Sequence, residues 1–116
     1  MTEEKKPRRK YEILVPGRQI TIAQIVSRPD PSLCTQLGIE QVKQSLGVLT
    51  LTPKESAIIA GDIAVKYGGV NIQTLDRFKG TLIITGKQEN VNIALKYILQ
   101  MFRLHLGFDV PEIRQA

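Results

Sequence analysis

The chain has 116 residues, a formal net charge of +5, 42% hydrophobic and 23% charged residues. That length fits one compact domain, and no apolar run reaches the roughly 18 residues that a membrane-spanning helix needs. With Cys34 as the only cysteine and His105 as the only histidine, an internal disulfide is excluded and a zinc site or Cys/His catalytic pair within one chain is disfavoured.

The positive charge is concentrated at the start, in Lys5, Lys6, Arg8, Arg9 and Lys10. Residues 1–10 read as a disordered, solubilising basic arm. No aromatic platform or recognition helix accompanies it, which argues against nucleic acid as a partner. The arm is charged and lacks an apolar h-region, so no secretory signal is expected.

Residues 11–15, Tyr11-Glu12-Ile13-Leu14-Val15, form a short strand candidate closed by Pro16-Gly17. A strand so short needs partners. Residues 19–26 alternate as a second strand, and the alternation slips at Gln24-Ile25-Val26, the expected place of a bulge. Two prolines, Pro29 and Pro31, end it. Pro31 or Ser32 opens a short helix to Leu37, stopped by Gly38, with Cys34 inside as a small packing residue.

A β-α-β-β unit follows. Residues 45–51 are apolar on both faces, as in a central strand. A helix is expected over 53–67, with Thr52 as N-cap, Pro53 at the first position and Glu55 closing a capping box. It carries Ile58, Ile59, Ile63 and Val65, while Ala57, Ala60, Gly61 and Ala64 keep much of it small enough for a close contact. Gly68 and Gly69 supply its left-handed stop. Residues 70–75 and 81–85 form a hairpin around the tight turn 76–80. The last helix spans 88–106, with Val91, Leu95, Ile98 and Phe102 as its buried stripe and Gly107 as its end. Residues 108–116 have a proline and weak periodicity and form a C-terminal tail that the sequence does not place.

The order after residue 45 is β-α-β-β-α, and the strand at 19–26 completes a four-stranded antiparallel sheet. The fold class is α+β: a ferredoxin-like sandwich with one strand and one short helix moved to the front, in a single domain over 11–107. No phosphate-binding glycine loop is present, because Gly68-Gly69 follows a helix rather than preceding one. Glu55, Asp62 and Asp76 do not make a convergent acid–base pair, so no catalytic residue, metal site or cofactor is assigned and an enzyme is not expected.

Gly47-Val48-Leu49-Thr50-Leu51-Thr52-Pro53, Ala60-Gly61-Asp62, Lys66, Leu75-Asp76-Arg77-Phe78 and Gly80 together resemble the circularly permuted bacterial microcompartment shell proteins. These are small hexameric subunits of the ethanolamine- and propanediol-utilisation type. Val15-Pro16-Gly17-Arg18-Gln19-Ile20-Thr21-Ile22-Ala23 is similar to that group's VPGKQVTLA stretch. The resemblance spans about residues 11–106.

It implies a homohexamer that tiles with other shell proteins around metabolic enzymes, in a microcompartment shell within the cytoplasm, and that limits escape of an intermediate. It also implies that Tyr11, Glu12, Ile13, Leu14 and Val15 join five copies of themselves in an axial β-barrel that narrows the pore. Asp76, Arg77, Phe78 and Lys79 match the family's turn near the axis, with Lys79 replacing a more usual small residue. Lys66 matches the lysine at the hexamer edge, and Arg28 resembles an arginine at the same edge. Gln44 stands where some members carry a glycine, so a flat rather than bent hexamer is expected. The alternative is a small ferredoxin-like binding or regulatory module that uses its basic arm on nucleic acid or another anionic partner.

Overall fold

The computed structural model describes residues 17–38 and 44–115. In chain order they form β1 (Gln19–Val26), α1 (Pro31–Leu37), β2 (Ser45–Thr52), α2 (Ser56–Tyr67), β3 (Asn71–Asp76), β4 (Thr81–Gly86), α3 (Gln88–Leu106) and β5 (Arg114–Gln115). The strand expected at residues 11–15, the barrel built on it and the basic arm at 1–10 lie outside the described residues.

The expected four-stranded antiparallel sheet is corrected to a mixed sheet of five strands, in the order β3-β4-β2-β1-β5. The first four strands are antiparallel neighbours, and β5 adds to β1 in parallel. The fifth strand comes from the tail that the sequence does not place. Its pairing partner is nearly the whole chain away and the ladder is two residues long, too short for alternation to register.

α3 is the best-defined packing element. Its apolar residues recur at helical spacing, and Val91, Leu95, Ile98 and Phe102 are all fully buried. Burying side chains of this size contributes about 1.5–3 kcal/mol each. Gly107 ends the helix in the left-handed conformation, φ 72°. The Phe108 N–H then donates back to the Phe102 carbonyl at 3.0 Å, and the two rings meet edge to face with centroids 4.7 Å apart.

α2 lies beside α3 on the same face of the sheet and packs through its small residues. Ala57, Ala60 and Ala64 are fully buried. A Cβ on Gly61 would come within 2.8 Å of Leu75 Cδ1, and a Cβ on Gly68 would run into Ala94 of α3. The close contact expected from the small residues is therefore present on two sides.

The start of α2 differs from expectation. Thr52 is still in β2, opposite Gln19 of β1, so it is committed to the sheet and does not cap the helix. The residues after it form a tight turn in which Ser56, Ala57 and Ile58 N–H groups donate to the carbonyls of Pro53, Lys54 and Glu55. The helix opens at Ser56, and Glu55 makes no side-chain capping bond. At the other end Gly68 is right-handed and Gly69 takes the positive φ of 63°, so the left-handed stop falls on the second glycine alone.

The bulge in β1 is also displaced. The register shifts between Ile20 and Ile22, not at Gln24-Ile25-Val26. Thr21 and Ile22 are consecutive outward residues there, and the regular alternation resumes with Ala23 and Ile25 inside. α1 follows the sequence reading closely. Asp30 caps it by accepting from the Ser32 N–H at 2.8 Å and the Ser32 hydroxyl at 2.7 Å, and Cys34 is buried.

Candidate assembly surfaces

The turn between β3 and β4 gathers four of the residues singled out from the sequence. Asp76 Oδ1 accepts from the Phe78 N–H at 2.9 Å and the Lys79 N–H at 3.1 Å. The Gly80 N–H donates to the Asp76 carbonyl at 2.8 Å. Asp76 is thus spent on holding the turn. Gly80 closes it with φ 73°, and a Cβ there would run into the Leu51 carbonyl oxygen. The side chains at the tip point to solvent: Phe78 is 72% exposed, and the Arg77 guanidinium lies 5.0 Å from its ring centroid. Arg77, Phe78 and Lys79 form one exposed cationic and aromatic tip.

α2 displays the second surface. Ile58, Ile59 and Val65 point outward and are close to half exposed, as is Tyr67 beyond them. These branched side chains stand on the side opposite the buried alanines. The exposed branched side chains make this face a candidate contact surface. Lys66 shares the helix, with its Nζ 2.9 Å from Asp62 Oδ2. Both side chains are more than half exposed, and the Asp62 carboxylate holds the Lys66 ammonium above the usual lysine range. Arg28 is exposed in the link between β1 and α1. It is separate in the chain from Lys66, and no described contact joins the two. Tyr11, Glu12, Ile13, Leu14 and Val15 fall outside the described residues.

A cleft of about 300 Å³ opens where β1 begins, α2 starts and α3 ends. Arg18, Glu55 and Ser56 line it together with Ile59, Leu106 and Phe108. Arg18 Nη1 donates to the Leu106 carbonyl at 3.4 Å. One cation and one carboxylate in apolar walls supply no nucleophile and base in contact. Among the described residues no group of three or more His, Cys, Asp or Glu side chains is placed to hold a metal ion, and no helix is long and apolar enough to cross a membrane.

Sequence reasoning missed two features of these surfaces. The outward position of Ile58, Ile59 and Val65 was not separable from burial by composition, because α2 is apolar on most sides. The tail was missed although Phe108, Val110 and Ile113 are apolar between Asp109, Glu112 and Arg114, a weak signal of one-sided packing.

Comparison with known proteins gives the family. The BMC domain model matches residues 45–110. The bacterial microcompartment shell protein PduU of Salmonella typhimurium is 41% identical over 102 residues, covering 88% of each chain. The shell protein EutS of Escherichia coli K12 is 43% identical over 102 residues, covering 88% of this chain and 91% of its own. Among solved structures, a flat hexamer of CutR superposes with a TM-score of 0.84 at 34% identity, covering 95% of this chain and 93% of that one. CutR in a screw of 41.9 Å pitch gives 0.83 at 36% identity, covering 87% and 100%. A fused permuted hexameric shell protein from the RMM microcompartment shares the fold, with a TM-score of 0.69 at 20% identity, covering 75% of this chain and 47% of that one. With more than half its length matched by the domain model and relatives above 40% identity across most of both chains, this chain belongs to the BMC-domain family of bacterial microcompartment shell proteins.

Proposed function

We propose that this protein is a hexameric tile of a microcompartment shell, a structural subunit that encloses metabolic enzymes and limits diffusion of an intermediate. The observation that carries the reading is α2, which buries its alanines and turns Ile58, Ile59 and Val65 outward. A helix of this kind is half a contact, and a cyclic assembly supplies the other half without leaving an open end. The CutR flat hexamer provides the template for such a ring.

In this reading the tip Arg77-Phe78-Lys79 repeats near the axis, held in shape by Asp76. Residues Tyr11, Glu12, Ile13, Leu14 and Val15 form the axial β-barrel, which closes strand edges that one copy leaves unpaired. Lys66 and Arg28 serve the edge between hexamers, where a two-fold contact repeats every interaction twice. Gln44 in place of glycine favours the flat form. The shell and its tiles sit in the bacterial cytoplasm, beside other shell proteins.

Native mass spectrometry at moderate salt tests the reading. A species near six chains of 13.0 kDa supports it. A monomer or dimer across a wide concentration range removes the ring, the barrel and the axial turn together. The alternative, a binding module working through the basic arm, gains no support from the described structure.

A further inference from the structure

The two sides of β1 are treated very differently. Its inner side pairs with β2 along the whole strand, from Gln19 opposite Thr52 to Val26 opposite Leu46. Its outer side is covered by the C-terminal segment, whose described backbone pairing with it lies near its two ends. At one end Ile20 N–H donates to the Asp109 carbonyl at 2.8 Å and Asp109 N–H donates to the Arg18 carbonyl at 3.1 Å. At the other, Arg114 and Gln115 lie in register with Gln24 and Ile25, and Gln115 Nε2 donates to Ser27 Oγ at 2.7 Å.

Just before the first clamp Phe108 is buried against Phe102, and between the clamps Val110 and Ile113 pack on the core. The strand beneath reads Gln19-Ile20-Thr21-Ile22-Ala23-Gln24-Ile25-Val26. It has no charge, no proline and no glycine, and it is rich in β-branched residues. A bare edge with that sequence is a template for pairing with another copy. The segment that covers it has the opposite character. It forms a strand of only two residues, and it carries Pro111, which cannot donate to a ladder, and the charges of Glu112 and Arg114.

We propose that residues 108–115 are a guard strap over the outer edge of β1, and that this edge, once uncovered, pairs antiparallel with β1 of a second copy. The pairing is self-complementary across a two-fold axis, because the same eight residues meet themselves. It is a mode of association separate from the ring, made by a sheet edge rather than by helix faces.

The test uses the full chain with Ile113→Asp and Ser27→Ala together, which loosen the middle and far end of the strap and leave Phe108 in the core. A third change, Thr21→Lys, then places a charge on the uncovered edge. Hydrogen exchange and native mass spectrometry are read on all three forms. The double variant is expected to exchange faster over 110–115 and slower over 19–26, and to double the mass of the wild-type species. Thr21→Lys is expected to reverse the doubling, and a free peptide of residues 108–116 added to the double variant to do the same. The proposal is overturned if the strap keeps its protection in the double variant. It is equally overturned if the strap is released with the mass unchanged, or if the new protection falls on a strand other than β1.

Discussion

α2 and α3 lie side by side on one face of the same sheet, yet they reach stability by different means. α3 buries a stripe of large side chains, Val91, Leu95, Ile98 and Phe102, and faces outward mainly polar residues, with Ile93 and Leu104 exposed among them. α2 buries Ala57, Ala60 and Ala64 and faces Ile58, Ile59 and Val65 away from the core. The difference separates two jobs. Large buried side chains supply the hydrophobic stabilisation of the single chain. Small buried ones supply closeness, and on α2 they leave the large ones at the surface.

The comparison is tested most severely at Phe102. Phe102→Ala should cost about 3–5 kcal/mol, read by urea denaturation, because it empties a fully buried site and strands Phe108. A cost below about 1 kcal/mol would mean that α3 does not carry the core. Next comes Gly68→Val, aimed at the closeness of the two helices. The added side chain meets Ala94 and the Ala64 carbonyl, and overpacking of this kind costs about 1–3 kcal/mol. Thermal melting of the variant checks it.

Ile58→Asp with Ile59→Asp should behave in the opposite way to Phe102→Ala. Surface changes outside special contacts stay within about 0.5 kcal/mol, so the fold should survive while the assembled mass falls to that of smaller species. Loss of folding in that variant would place both isoleucines in the core. A small effect on the single chain is expected from Lys66→Glu, which replaces the ion pair with Asp62 by two like charges one turn apart on a helix that stays packed. It should lower stability only slightly, read by thermal melting, and disperse extended sheets into separate rings, seen by electron microscopy. The raised pKa of Lys66 sets the direction of the accompanying pH effect. Its pairing with Asp62 is fully present below the ordinary lysine range and is lost as pH rises through the raised value.

Legibility in the sequence followed the length of each signal. α3 was readable to both ends, because five turns of spacing and one terminal glycine agree. β1 was readable in extent but not in the site of its bulge, since Ile20-Thr21-Ile22-Ala23 alternates on paper whichever residue is looped out. The start of α2 misled because Thr52-Pro53-Lys54-Glu55 has the chemistry of a capping box, while the ladder with β1 claims Thr52 first. Local propensity lost there to a long-range pairing. The turn at Asp76 and Gly80 was readable because both residues satisfy backbone needs that few others meet. Its role, and those of Lys66 and Arg28, came only from the resemblance, because an exposed charge looks the same whether it faces water or a neighbour.

The return of the tail also brings the start of β1 beside the segment that leaves α3. Arg18 and Asp109 are joined by a hydrogen bond of 3.1 Å, so the first and last parts of the described domain meet at one seam. With the strap beyond Asp109 removed, a short peptide link across that seam would close the remaining strands and helices into a ring. Once such a ring is imagined, the position of the cut becomes a free choice among the exposed loops. A gene that opens the ring at a different loop still encodes the same layers, and what changes is which segment hangs loose at the end, available for a new task.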